Sequence, residues 1–582
     1  SHIEVTTGAS KVLPVGKEGV AGGGAGNGVG IAILDSGINP PDAAEFAGYK
    51  KQSSSLLGTG LLGSTNVTSY SRVSAPVDFT GEERTDDPYG HGTHTAGVAG
   101  GTGQASEEYA AEHAGSPTYG GVATGANLVS VRVLNEQGVG TVSNVIAGIN
   151  WVIQNKDKYR IRVLNLSLGT PVTQSYKTDP LCQAVERAVK AGIVVVVAAG
   201  NWGKDSNGRV IYGGILSPAN SPKAITVGAV NTQQTDKRSD DLVASYSSRG
   251  PTLVDGIVKP DLVAPGTRTG AAETANSSPY ASNQTNTDGG GVIGGLLWSN
   301  STTTTPVATG TYQILSGTSF AAPAVSGTVA LMLEANPSLT PQMVKAVLMR
   351  TAQRLPIYES MVRDGRMTAF ERLITEGAGQ LNTYAAKTVA AAIRQDAHRA
   401  APGDDLIKNK NTTYSTLRLT SPIAGESVPL NNGVLWVEGI AFTDRIKLAS
   451  RYQLPNGQTL SSGFAVADGY LNPDGSYVFS NGIVISSGIV ISSGIVISSG
   501  IVISSGIVIS SGIVLSSEYA SADGTTNAGA LYGLSFDNQS VWASNVINPS
   551  STSSDETQVM ILGEEACPAG VSRLPSNSPL YP

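Results

Sequence analysis

Cysteine is nearly absent: the 582-residue chain has two, Cys182 and Cys567. They set up no disulfide framework, and no Cys-x-x-Cys or His-rich pattern beside them would hold zinc, so the sequence leaves open only whether the two pair. An excess of positive charge is lacking as well. With 38 Lys and Arg against 45 Asp and Glu, the formal net charge is −7, which gives no electrostatic footprint for nucleic acid or anionic lipid. Nor is there a run of about 20 apolar residues to span a bilayer. The chain starts at Ser1 without an initiator Met or an apolar signal region, which raises the expectation of a secreted, matured protein. What is present, 40% hydrophobic and 14% charged residues, suits a globular protein. Single cores stop growing near roughly 250–300 residues, so one large domain and at least one more are expected.

From Gly28 to about Gln395, short apolar runs alternate with amphipathic segments, the pattern of an α/β domain with a parallel sheet covered by helices. Ile31–Leu34, Leu128–Leu134, Val163–Leu168, Ile193–Ala198 and Ala224–Val230 read as buried strands. The spacing of Val142, Val145, Ile146, Ile149, Val152 and Ile153 places one apolar stripe on a helix. Thr340-Pro341 opens another, with Thr as N-cap. The composition turns polar and helix-breaking at Ala401-Pro402-Gly403-Asp404, which suggests a first domain over 1–400, a linker over 401–412 and a β-rich domain over 413–582. In the last of these, Val434–Val437 and Ser476–Phe479 read as strands, with turn chemistry at Asn472–Gly475 and Asn481-Gly482.

Within that domain, residues 482–517 are six tandem hexapeptides, five reading Gly-Ile-Val-Ile-Ser-Ser and the last carrying Leu515. One extended strand of that length would span on the order of 120 Å, so the chain must turn repeatedly, at Ser-Ser-Gly. A left-handed parallel β-helix of two coils with three hexads each, or a tight meander, would satisfy the period. Duplicated coding DNA giving a tolerated spacer is an equal reading. Unpaired Ile-Val-Ile runs would aggregate, so pairing or burial is expected.

Three segments carry chemistry. Ile31-Ala32-Ile33-Leu34-Asp35-Ser36-Gly37 is a buried strand ending in a carboxylate and a turn; alone, Asp35 would read as a turn cap. The Gly-rich stretch 24–30 precedes the strand and so cannot be a dinucleotide loop, which must follow one. Gly90-His91-Gly92-Thr93-His94-Thr95-Ala96-Gly97 sets two of the five histidines among small residues, with neither a His-Glu-x-x-His pattern nor a third ligand for a metal. Ser316-Gly317-Thr318-Ser319-Phe320-Ala321-Ala322-Pro323 puts a serine where a Gly-containing turn enters a helix; alone, it would read as an N-cap.

Together, in the order Asp, His, Ser, these segments make the chain resemble the subtilisin-like serine proteases, the subtilases. The resemblance runs from about Gly28 to Gln395. It includes Gly121-Val122-Ala123, Asn165-Leu166-Ser167-Leu168-Gly169, Ala198-Ala199-Gly200-Asn201, Ser247-Ser248-Arg249-Gly250-Pro251, Lys259-Pro260-Asp261-Leu262-Val263-Ala264-Pro265-Gly266 and Gly377-Ala378-Gly379. It implies a subtilisin-like α/β fold and a secreted serine endopeptidase. Ser319 is then the nucleophile, His91 the general base, Asp35 the residue that fixes the imidazole, and Asn201 the oxyanion donor. His94 is expected to be a packed structural residue.

The resemblance also implies protein or peptide substrates lying extended against Ser167, Leu168 and Gly169, with Ala198, Ala199 and Gly200 as one wall of the primary pocket. Main-chain pairing of that kind implies broad specificity, and the small wall residues leave room for a large apolar side chain before the scissile bond, with the opposite wall in the stretch after Asn201. No cofactor is needed for the chemistry. Structural calcium fits the family, and Asp42 matches a carboxylate often used there. However, an insertion at 101–120 carrying Glu107, Glu108 and Glu112 replaces the loop that normally completes the site, so the metal ligands are unassigned. A second insertion, 268–311, is expected to be a surface loop near the cleft. A propeptide is expected during maturation. Two rivals stay open: a surface- or polymer-binding protein on a vestigial protease scaffold, and a live enzyme with one dedicated substrate. Oligomeric state is not legible.

Overall fold

The computed structural model describes residues 2–12, 26–40, 42–53, 65–114, 116–205, 208–274, 312–407, 420–429, 434–442 and 446–453, followed by short strands between 459 and 516 and at 546–547. Eight strands form the main sheet: β1 Gly30–Asp35, β2 Val73–Asp78, β3 Asn127–Arg132, β4 Ile161–Leu166, β5 Val194–Ala198, β6 Ile225–Asn231, β7 Leu242–Val243 and β8 Leu262–Pro265. Their order is β7-β6-β5-β4-β1-β3-β2, with β8 also on β6. Every pairing is parallel except β7 with β6. The interior strands are apolar on both faces because both faces are covered. Ile31 and Ile33 pack into one core, while Ala32 and Leu34 pack into the other.

The helices that position the site are α1 His91–Gly100, α2 Gln104–Glu112, α3 Val142–Asn155, α4 Pro180–Lys190, α5 Thr318–Ala335 and α6 Pro341–Thr351. The expected apolar stripe is the buried face of α3, and Thr141 Oγ1 accepts from Asn144 N at 3.2 Å to cap it. Thr340 caps α6 in the same way, at 3.4 Å to Met343 N. Helix α5 is buried along nearly its whole length and lies across β4, β5 and β6. The 101–120 insertion holds α2. The 268–311 insertion begins as a strand, Thr269–Ala272, paired antiparallel with Tyr312–Leu315; residues 275–311 lie outside the described residues, so the expected loop near the cleft is not described.

Leu406 and Ile407, within the stretch expected to be a linker, are buried in the large core with Val434, Val437, Ile440, Phe442 and Ile446. Arg350 of α6 donates to Val434 O and sets its guanidinium 5.7 Å from the Phe442 ring, and Lys223 pairs with Glu438 at 3.1 Å. In the hexapeptides, Ile483 pairs with Ile495 and Val496 with Val508, while Val490 pairs with Val502 and Val502 with Val514, all parallel. Partners are twelve residues apart. The coil is therefore two hexads wide, in place of the three-hexad coil or the meander expected above, because successive hexads go to alternate sheets. The first set continues the sheet that contains Phe464–Val466 and Val434–Val437. Tyr477–Phe479 is a strand paired with Gly469–Leu471; both turns expected nearby, and Cys567, lie outside the described residues. No described helix is long and apolar enough to cross a membrane.

Candidate active site

Strand order brings the chemistry together. β5, β4 and β1 are neighbours, and their carboxyl ends deliver Asn201, Ser167 and Asp35 to one edge of the sheet, where open α/β folds place ligands. Asp35 is the last residue of β1, and His91 is the first of α1. Both side chains are fully buried, and His91 Nδ1–H donates to Asp35 Oδ1 at 2.7 Å. Ser36 N donates to the same oxygen at 2.8 Å. His91 Nε2 is left without a partner among the described residues. Gly92 explains the small neighbours of His91, because a Cβ there would lie 2.2 Å from Gly37 O and 3.1 Å from Asp35 Cβ.

A buried residue that the sequence analysis passed over holds these two turns together. Asp87 Oδ1 accepts from Ser36 Oγ at 2.7 Å and from Gly90 N at 2.8 Å, and its Oδ2 accepts from Thr93 N and Thr93 Oγ1, both at 2.7 Å. Ser36 Oγ in turn accepts from Gly92 N at 3.0 Å. Burial pushes the Asp87 carboxyl up from its ordinary range, opposed by the four donors. The signal available in sequence was an Asp four residues before a helix opening at His91.

Ser319 is the second residue of α5. Its Oγ donates to Ser167 O at 3.4 Å, a long bond of the kind that rearranges when substrate binds. The Phe320 ring lies 5.2 Å from that of His91, so the two motifs meet here. Ser167 Oγ donates to Ser319 O at 2.6 Å and accepts from Asn165 Nδ2 at 2.9 Å, so the segment expected to bind substrate also anchors the serine's backbone. Asn201 Oδ1 accepts from Thr318 N and from Thr318 Oγ1, each at 3.0 Å. The backbone donor fixes which end of the amide is oxygen, and Nδ2 lies 3.6 Å from where a Gly317 Cβ would be.

Leu216 lies against both Gly169, of the expected substrate edge, and Gly200, of the expected pocket wall. A Cβ on Gly169 would meet Leu216 Cβ at 2.9 Å, and one on Gly200 would meet Leu216 Cγ at 2.7 Å. His94 is buried, with Nε2–H donated to Thr269 O at 3.0 Å and its ring edge-on to Phe320. Burial pushes its pKa down to about 3, so it is a neutral packed residue. Asp42 caps a 3-10 turn through Ala44 N at 2.8 Å, and Glu108 accepts from Gln104 on α2. Among the described residues no three Asp, Glu, His or Cys side chains are grouped to hold a metal.

Comparison with known proteins gives a consistent result. The subtilase family profile matches residues 26–383. Serine protease AprX of Bacillus subtilis is 36% identical over 331 residues, covering 56% of this chain and 61% of AprX. Subtilisin DY of Bacillus licheniformis is 31% identical over 316 residues, covering 54% of this chain and 89% of that one. The extracellular serine proteinase of Thermus sp. is 37% identical over 263 residues, covering 45% of this chain and 46% of its own. The chain thus spans 61% and 46% of the AprX and Thermus proteins. A crystal structure of a cold-adapted subtilisin-like serine proteinase aligns at 26% identity over 65% of this chain and 97% of that one, with a TM-score of 0.39. The family match covers more than half of the chain and contains Asp35, His91, Asn201 and Ser319: the chain belongs to the subtilase family.

Proposed function

We propose that this chain is a secreted serine endopeptidase that cleaves peptide bonds through an acyl-enzyme. The observation that carries the reading is the buried Asp35–His91 pair at 2.7 Å, set beside the helix turn that bears Ser319. Ser319 Oγ attacks the substrate carbonyl carbon while His91 Nε2 takes the hydroxyl proton, and Asp35 holds the imidazole in the tautomer that leaves Nε2 free to accept it. The carbonyl electron pair moves to oxygen, where Asn201 Nδ2–H and the Ser319 N–H stabilise it. The C–N bond then breaks as His91 returns the proton to the leaving amine. Water, deprotonated by His91, releases the acid and restores Ser319.

Every group in this cycle is a side chain or backbone amide, so the chemistry needs no cofactor. Substrate lies extended along Ser167, Leu168 and Gly169, pairing through its main chain, and specificity is broad at positions read only by backbone. Secretion accords with the similarity to the extracellular serine proteinase of Thermus sp., and maturation from a propeptide form is part of the same proposal. A chromogenic peptide panel tests the reading: the wild type should hydrolyse peptides, and Ser319→Ala should lower kcat by roughly 10⁴-fold or more. A correctly folded wild type that hydrolyses none would favour the surface-binding alternative.

A further inference from the structure

At the end of the sheet opposite the active site, a cavity of about 520 Å³ opens where β1, β4 and β5 begin. Lys156, Arg160, Arg162 and His398 line it, against a single carboxylate, Asp157, in a chain whose net charge is −7. We infer that this cavity binds a small phosphate monoester, its phosphoryl group held by Lys156, Arg160 and Arg162. The inference is independent of the peptidase reading, because Asp35, Ser167 and Asn201 lie at the other ends of the same parallel strands.

The frame that carries these groups is fixed. Residues 156–160 link α3 to β4; Ile161 N donates to Lys156 O at 2.7 Å, and Gly30 N donates to Arg160 O at 2.8 Å. Arg162 Nη1 and Nη2 donate to Pro337 O and Leu339 O, each at 2.9 Å, which orients the guanidinium and leaves its other N–H groups for a ligand. Neither Arg160 nor Arg162 makes an ion pair with a described residue. Burial pushes the Arg162 pKa down from its ordinary value, with no carboxylate to offset it. Lys156 pairs with Asp157 at 3.0 Å, and that aspartate is 92% exposed. Three fixed cations less one carboxylate leave +2 at the cavity, which a phosphoryl group carrying about −1.5 to −2 near neutral pH matches. Guanidinium forks fit phosphate oxygens, and a concave site concentrates the field of its charges. Arg160 is held at φ +53°, a left-handed conformation that glycine adopts more readily; an arginine kept there fits a use for its guanidinium. Gly28 and Gly192, also in the lining, have no atom within 4 Å of their Cβ positions, which leaves room for the esterified group in a volume typical of small-molecule sites.

The test is equilibrium dialysis of the full chain, carrying Ser319→Ala to prevent self-digestion, against labelled inorganic phosphate and labelled ribose 5-phosphate at constant ionic strength. Each should bind once per chain with Kd below about 1 mM, ribose 5-phosphate no more weakly than phosphate. Arg160→Gly removes the guanidinium at a backbone position that suits glycine, so folding is not at risk, and it should weaken binding at least about tenfold; Lys156→Met should weaken it at least about threefold. Lys158→Met is the control. Lys158 lies 4.8 Å over the Tyr159 ring and outside the cavity lining, so its loss should change binding by less than about twofold. Absence of binding at about 10 mM ligand, or unchanged binding in Arg160→Gly, would overturn the site. Equal weakening in Lys158→Met would reduce it to general charge attraction and overturn it as well, while binding of phosphate without ribose 5-phosphate would overturn the ester assignment.

Discussion

Asp35, His91 and Ser319 were legible because each sits in a short motif of small residues whose order along the chain is specific. Asn201 was legible because it follows Ala198-Ala199-Gly200 directly. Asp87 was not, because its hydrogen bonds depend on which turns the fold brings side by side. Asp87 bonds to Ser36 and Thr93, residues 51 positions before it and 6 after it. Under the proposed chemistry, Asp87 would act through Ser36 and the first turn of α1. Its replacement in Asp87→Asn puts an amide donor against backbone N–H donors, so the turn carrying His91 shifts. We expect kcat to fall by roughly 10–100-fold with KM changed less than about threefold, and the Ser36→Ala variant to lose less than Asp87→Asn. A uniform loss of active protein, with kcat per active site unchanged on titration, would reduce Asp87 to a purely structural role.

At the level of elements, the strands were readable because burial on both faces writes an apolar run, and their ends were less so. β4 ends at Leu166, two residues before the expected boundary, and Ser167 beyond it turns its Oγ to Ser319 O. The helix α2 inside the first insertion carried no apolar stripe and was not anticipated. Its base is fixed to the core through Thr102, whose N donates to Glu45 O at 2.9 Å, and Glu45 Oε2 accepts from Tyr312 Oη at 2.6 Å. Glu45 is 2% exposed, and burial pushes its carboxyl up to about 7. The folded state therefore holds this proton more tightly than the unfolded chain. The contribution favours folding below the ordinary carboxylate range and is lost as pH rises through about 7. Glu45→Gln removes the titration. Thermal melts at pH 5 and pH 8 should show the variant gaining on the wild type at the higher pH by on the order of 2 kcal/mol. A variant that loses as much at pH 8 as at pH 5 would contradict this.

Over the whole molecule, the division into an enzyme and an appended tail was read from a change in composition, which cannot reveal that the two share a core. Leu406, Ile407, Val437, Ile440, Phe442 and Ile446 are buried with the side chains of the peptidase helices. Deleting 405–582 should therefore expose apolar surface beside α6 and abolish soluble, active protein. Deleting 482–582 removes the hexapeptides but spares these strands, and peptide hydrolysis should stay within about twofold of the full chain. Equal activity and melting for both truncations would show that the shared core is dispensable.

The proposed chemistry stands on Ser319 as a nucleophile activated by His91. Its most direct test is to treat the full chain with a fluorophosphonate and locate the adduct by mass spectrometry, alongside His91→Ala. One adduct per chain on Ser319, lost or slowed at least about 1,000-fold in His91→Ala, is the predicted result; a folded protein that takes no label, or takes it equally in both forms, would contradict it.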